Sequence, residues 1–182
     1  MLFPTEFRIS YPPGYEIAFN EEQIQETLPA LIAEQNFIYS SKKRKGYNCF
    51  AYAVGEENKD IDMTSFSKRF DISKAGLSKD PLDHTIEGYI KLLRGFYQFE
   101  VCEDGELEAE FTKIVLYEGV SPEDKEIGFS HIALQLKNGM WRSKLGTWED
   151  ITHLAPETIE GDYYGRPVVY MERPDHIKIN IF

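Results

Sequence analysis

The sequence contains only two cysteines, no long apolar run and no surplus of basic charge. Two cysteines, Cys49 and Cys102, are too few for a disulfide framework or a cysteine-rich zinc site. The formal charge is −11, from 20 basic and 31 acidic residues. This balance argues against nonspecific nucleic-acid binding, because such binding needs Lys and Arg to neutralise phosphates. We therefore expect no nucleic-acid partner.

Long apolar segments are also missing. No stretch reaches the roughly 20 apolar residues of a membrane-spanning helix, and Met1–Glu6 lacks the basic and apolar regions of a signal peptide. We expect no membrane partner and a cytoplasmic protein, with export by a route that reads no cleavable signal left open. The 182 residues, 42% of them apolar, suffice for one globular domain with a sizeable core.

Helix signals dominate the first half of the chain. Residues 20–32 begin with a capping box and continue with apolar residues at helical spacing, and Pro29 is expected to interrupt the helix. Thr85 to Arg94 predicts an amphipathic helix that ends at Gly95. A second capping-box-like start predicts a short helix from Thr147 through His153.

Strand signals dominate the second half, and Asn138-Gly139 is typical of a tight hairpin turn. The predicted strands are Tyr97 to Val101, Lys113 to Tyr117, His131 to Leu136, Trp141 to Leu145, Val168 to Met171 and Ile177 to Ile179. With no repeat and no linker, the sequence predicts one α+β domain over residues 1–182. An arm and a helix occupy residues 1–45, and the core occupies residues 46–182.

A short helix bearing Cys49 is the centre of this prediction. Asn48 can cap its start and Gly55 can end it, and the residues between them are apolar on every side. In the first turn, unpaired backbone N–H groups and the helix dipole favour a thiolate. The basic run Lys42 to Lys45 favours it too. The alternative is a buried structural cysteine.

A thiolate nucleophile needs a proton-transferring partner, and His131 is the best placed of the four histidines. It opens the strongest predicted strand and points away from the face of Ile132 and Leu134. A helix packed on the His131 face would put Cys49 against the imidazole. The alternative is a hydrogen-bonded histidine at a strand end. The remaining three (His84, His153 and His176) fit surface or helix-capping positions better.

Asn48-Cys49 at a helix start, followed by the strand and turn from His131 to Gly139, resembles the papain-like fold in its NlpC/P60 form. The resemblance implies a buried Cys-bearing helix packed on an antiparallel sheet. It also implies that Cys49 is the nucleophile, His131 the base and Ser143 the residue that orients the imidazole. Asn48 and Phe50 stand where that family usually has Asp and Ser.

The activity implied is that of a cysteine hydrolase or acyltransferase, peptidase-like or amidase-like, acting on an amide or ester bond of a peptide or small amide. No cofactor or metal is implied. The backbone N–H of Cys49, with Tyr47 or Asn48, would stabilise the oxyanion, and Trp141 would contact substrate. A deamidase or transglutaminase would share this dyad.

Two points stay open at the level of sequence. A two-residue hairpin loop places Lys144 on the His131 face, whereas a three-residue loop places Ser143 there, and Asp150 is a further candidate for the third polar position. The second open point is the function class. The alternative to an enzyme is an inactive binding module on the same fold, with a groove lined by Trp141, Trp148, Tyr163 and Tyr164.

A second resemblance covers roughly residues 46–173. Trp141–Gly146, Glu149–His153 and Tyr164–Met171 resemble the recurrent blocks of an uncharacterised bacterial domain family. This resemblance implies no activity.

Overall fold

The computed structural model of the chain describes residues 16, 20–34, 37–121, 125–177 and 179, and the predicted N-terminal arm lies almost wholly outside them. Within these residues the α-helices are α1 (Glu21–Thr27), α2 (Pro29–Glu34), α3 (Cys49–Val54), α4 (Met63–Arg69) and α5 (Ile86–Tyr97). The strands are β1 (Phe37–Tyr39), β2 (Glu100–Cys102), β3 (Phe111–Val120), β4 (Ile127–Gln135), β5 (Trp141–Lys144), β6 (Asp150–His153) and β7 (Arg166–Pro174). The α+β prediction is confirmed.

The helix starts follow the predicted capping chemistry. Asn20 and Gln23 form the reciprocal capping box of α1. The helix is interrupted at Leu28, and α2 begins at Pro29. The predicted end of α5 at Gly95 is wrong. The helix continues to Tyr97, and Gln98 takes the left-handed position. Gly95 is needed for close packing, because a Cβ there would lie 2.6 Å from the Cβ of Ala75.

The strands form one antiparallel sheet in the order β1-β6-β5-β4-β3-β7-β2. The predicted helix through His153 is wrong, because residues 150–153 form β6, paired with both β1 and β5. Its β-branched Ile151 and Thr152 suit a strand, and pairing on both sides outweighs the local capping signal.

Both faces of the sheet are covered by helices. On one face, α3, α4 and α5 pack on Ile114, Leu116 and Ile132. On the other face, apolar residues of α1 and α2 pack on the alternate positions of the same strands, which include Val115 and Ala133. Below, these are called the α3 face and the α1 face. In the described part of the chain, every helix is too short or too polar to cross a bilayer.

Candidate functional site

Helix α3 has the predicted start and end. The Asn48 side chain accepts the N–H of Ala51 at 3.0 Å and also ties the helix to a neighbouring loop, donating to the Ile61 carbonyl at 2.8 Å. Gly55 ends the helix in the left-handed conformation. Cys49 is therefore fixed at the first helical position, packed against the core of the α3 face.

The Cys49 thiol differs from the predicted thiolate. Burial raises its pKa to about 11, and the backbone groups of Ile132, Phe50 and Cys49 itself oppose this shift only in part. The cation that favours the thiolate is Lys144 of the sheet, not one of the upstream basic residues. Desolvation thus outweighs the helix terminus, and the sulfur is a neutral thiol at pH 7.

His131 lies on the α1 face. Its ring packs against Tyr117 at a centroid distance of 5.3 Å and against Tyr164 at 4.5 Å. The residue is buried, and its Nε2 makes no hydrogen bond within the described part of the chain. Burial, helped by the nearby His153, lowers its pKa to about 3.

The structure therefore does not form the expected bond between Cys49 and His131. The physical reason is the choice of sheet face. Helix α3 covers the face of Ile132, so the sulfur approaches the backbone of β4 beside His131 while the imidazole points to the opposite side.

Ser143 does lie on the His131 face. The turn after β4 closes between Leu136 and Met140, which leaves three residues in the loop and pairs Ala133 with Ser143. Its hydroxyl, however, lies 2.9 Å from Nε2 of His153. The predicted role of Ser143 as the orienter of His131 is not seen.

The Ser143–His153 pair was missed at the sequence level, because residues 150–153 were assigned to a helix. Nδ1 of His153 lies 2.8 Å from the Ala155 carbonyl and 2.9 Å from the Thr158 hydroxyl. Both members of the pair are fully buried, and burial lowers the pKa of His153 to about 4. The alternating pattern of Ile151 and His153 was the available signal. With no access to solvent, this pair stabilises the core.

The remaining predicted site residues have structural contacts of their own. Tyr47 donates its hydroxyl to Asp150 at 3.2 Å, and Trp141 is buried against Tyr170. The other three predicted groove aromatics form a row of rings that extends from the exposed Tyr163 to the buried Tyr164. The row runs through Trp148, Tyr163 and Tyr164.

A polar cleft of about 350 Å³ opens on the α3 face, between the segment after β1 and strands β5 and β6. Four basic residues line it: Lys42, Lys43, Arg44 and Arg142. The rest of its lining is hydroxyl-bearing or acidic: Ser40, Ser41, Tyr47, Tyr52, Glu57 and Asp150. Its volume falls in the range of small-molecule sites. The basic run Lys42 to Lys45, which we expected to act on Cys49, is the sequence signal for this cleft.

Arg142 and Asp150 form the inner wall of the cleft. The Arg142 guanidinium donates to the Tyr52 hydroxyl at 3.2 Å and to the Thr152 hydroxyl at 3.3 Å. Asp150 lies 3.6 Å from the ammonium of Lys144, which is fully buried. Alternation along β5 explains this arrangement, because Arg142 and Lys144 point to the α3 face while Ser143 points to the α1 face.

Burial shifts the Lys144–Asp150 pair toward its uncharged forms. Desolvation raises the pKa of Asp150 against the opposing effect of Lys144, and desolvation lowers the pKa of Lys144 against the opposing effect of Asp150. An anion bound nearby would favour the charged ammonium. As for metals, the described residues contain no group of three His, Cys, Asp or Glu side chains that could hold an ion.

Comparison with known proteins gives one result. No curated protein and no solved structure matches the chain. Residues 38–172 match a family whose description is Domain of unknown function (DUF7689). The matched region contains α3, residues of all seven strands and every residue of the cleft lining. The chain therefore belongs to the DUF7689 family.

Proposed function

We propose that this domain is a ligand-binding module whose site is the polar cleft on the α3 face. The observation that carries the proposal is the pre-formed inner wall of the cleft, where Arg142, Tyr52 and Tyr47 are held by hydrogen bonds beside open space. Polar groups fixed around a concavity of small-molecule size are the usual features of a binding site.

The state of Cys49 and His131 also favours binding over catalysis. A nucleophilic cysteine needs a base within hydrogen-bond reach. Here the thiol pKa is raised to about 11, the imidazole pKa is lowered to about 3, and no hydrogen bond joins the two side chains. A neutral thiol is not an activated nucleophile at pH 7, and a buried imidazole on the other face of the sheet cannot act as its base.

A cysteine hydrolase or acyltransferase on a papain-like fold of the NlpC/P60 type is the second candidate. One observation favours it: α3 begins at Cys49 and packs on β4, so that the sulfur is near the Ile132 amide, the next residue after His131. An active site would need the imidazole to cross to the α3 face. The deamidase and transglutaminase alternatives need the same rearrangement.

A fragment screen by NMR separates the two candidates. The ¹⁵N-labelled protein is exposed to a library of small polar fragments, and the binding site is mapped from amide shifts. The module proposal expects hits at Ser41, Tyr47 and Tyr52, unchanged in Cys49→Ala. A peptidyl chloromethyl ketone that labels Cys49, with labelling lost in His131→Ala, would instead establish the hydrolase. Absence of any fragment hit at the cleft would overturn the module proposal.

A further inference from the structure

Taking the proposed binding site as its basis, we propose that the cleft binds a small molecule through an oxyanion, a phosphate or carboxylate group, with Arg142 as the principal contact. The site thus selects acidic ligands, although the protein as a whole carries a formal charge of −11.

The position of Arg142 is the first support. Its Nε and Nη1 are both used by neutral hydroxyl groups, those of Thr152 and Tyr52. Within the described residues, no carboxylate lies within ion-pair distance of the guanidinium, and its Nη2 makes no hydrogen bond. A half-buried arginine oriented by neutral partners has one donor free and no carboxylate in direct contact. Guanidinium donors of this kind bind phosphate and carboxylate groups strongly.

The charge distribution of the cleft is the second support. Each carboxylate in the lining already has a cation: Glu57 lies 3.6 Å from Arg44, and Asp150 lies 3.6 Å from Lys144. Arg142 also interacts electrostatically with Asp150 but forms no ion pair with it, so its charge is offset only in part. Lys42 at the rim adds a second cation that has no carboxylate partner among the described residues. An anionic group entering the cleft would meet this surplus.

The hydroxyl groups of the lining are the third support. Tyr52 accepts from the guanidinium, so its own O–H can donate to an anionic oxygen, whereas the hydroxyls of Tyr47 and Ser40 already donate to Asp150. The Tyr47 and Tyr52 rings, with centroids 6.0 Å apart, form a wall against which the uncharged part of a ligand can pack. The volume of about 350 Å³ suits a small molecule.

The test is a titration of the full chain with inorganic phosphate, pyrophosphate and acetate, followed by amide NMR shifts at the cleft. We expect saturable shifts at Ser41, Tyr47 and Tyr52. Pyrophosphate or phosphate should bind more tightly than acetate if the site prefers phosphates, and acetate should bind more tightly if it prefers carboxylates. Added NaCl should weaken binding, because exposed charges such as Lys42 are screened by salt.

Variants assign the effect to the proposed contacts. Arg142→Lys keeps the charge but loses the planar fork, and should weaken the tightest probe at least about tenfold. Lys42 lies at the exposed rim, so Lys42→Gln should leave folding unaffected. It should weaken binding of the same probe a few-fold. Arg166→Gln is the control, since Arg166 pairs with Glu118 outside the cleft. Equal binding by Arg142→Lys, Lys42→Gln and wild type would overturn the inference.

The outcomes also separate this inference from the proposed function. If fragments bind in the cleft while all three anions fail to shift its amides, the oxyanion preference is wrong and the binding module stands. If neither fragments nor anions shift these amides, the proposed function fails as well.

Discussion

Replacing His131 with Phe separates a structural histidine from a catalytic one. The His131 ring is buried between Tyr117 and Tyr164, and its Nε2 has no partner within the described residues. Phe keeps an aromatic ring in that space and removes a buried polar atom that lacks a hydrogen bond. Because such an atom carries a desolvation cost of about 1–3 kcal/mol, we expect His131→Phe to unfold at pH 7.5 with an unchanged or increased free energy.

The same variant should lose part of the pH dependence of stability. Folding lowers the pKa of His131 from 6.5 to about 3, so the unfolded state binds more protons as the pH falls below 6.5. The contribution of the neutral His131 to the free energy of unfolding is therefore complete above pH 6.5. It is lost progressively as the pH falls toward the pKa of the folded state. Each pKa unit corresponds to ~1.4 kcal/mol, so the wild type should lose about 2 kcal/mol through His131 between pH 6.5 and 5. His153, with a pKa of about 4, should add a similar loss.

Urea unfolding at pH 7.5 and pH 5 measures this difference. The wild type should lose about 2 kcal/mol more than His131→Phe over this interval, while the exposed His176→Gln should behave like the wild type. The raised pKa of Asp150 acts in the opposite direction but is common to all three proteins. An unchanged pH dependence in His131→Phe, or a large destabilisation at pH 7.5, would show that the imidazole is charged or hydrogen-bonded and would refute the structural role.

Three further predictions concern the site and its support. Iodoacetamide should alkylate Cys49 roughly a hundredfold more slowly at pH 7 than an unperturbed thiol, because a pKa of about 11 reduces the thiolate fraction, and peptide mass spectrometry would reveal any faster reaction. Asn48→Ala should cost about 2 kcal/mol in urea unfolding, since it removes a helix cap and the tie to a second loop, against ~1 kcal/mol for the exposed cap in Asn20→Ala. Gly165→Ala should cost at least ~2 kcal/mol, because the new Cβ would lie 1.9 Å from the Glu118 carbonyl oxygen, and a melting temperature equal to wild type would contradict this.

Local chemistry made the first part of the fold predictable. The caps at Asn20 and Asn48 and the break at Pro29 depend only on residues within one turn of the helix end, so the sequence contains all the information required. The two wrong predictions, the helix end at Gly95 and the helix at residues 150–153, arise from contacts that are distant in sequence. Gly95 is explained by contact with Ala75, and residues 150–153 become a strand because β1 and β5 pair with them. Neither partner is near in sequence.

The candidate site was harder to predict, because both faces of the sheet are buried. Where one face of a strand meets solvent, alternation tells which residues point inward. In β3 and β4 both sets of side chains are buried, with Ile132 on one face and His131 and Ala133 on the other. Alternation along β4 correctly predicts that His131 points away from the face of Ile132, but it does not indicate which helix covers the His131 face. If α3 covered the His131 face, Cys49 would contact His131; because it covers the Ile132 face, the two side chains lie on opposite sides of the sheet.

Strand parity also accounts for the cleft. Along β5, Arg142 and Lys144 share a face, and the three-residue loop after β4 directs that face toward α3. Each residue then meets a different environment: Lys144 is buried against Asp150, whereas Arg142 lies beside open space with only hydroxyl partners. A buried cation matched by a carboxylate needs no ligand. A half-buried guanidinium without one gains a charge-assisted hydrogen bond when an anion binds. Binding at this position is thus favoured by the same alternation that turns Ser143 and His131 away from Cys49.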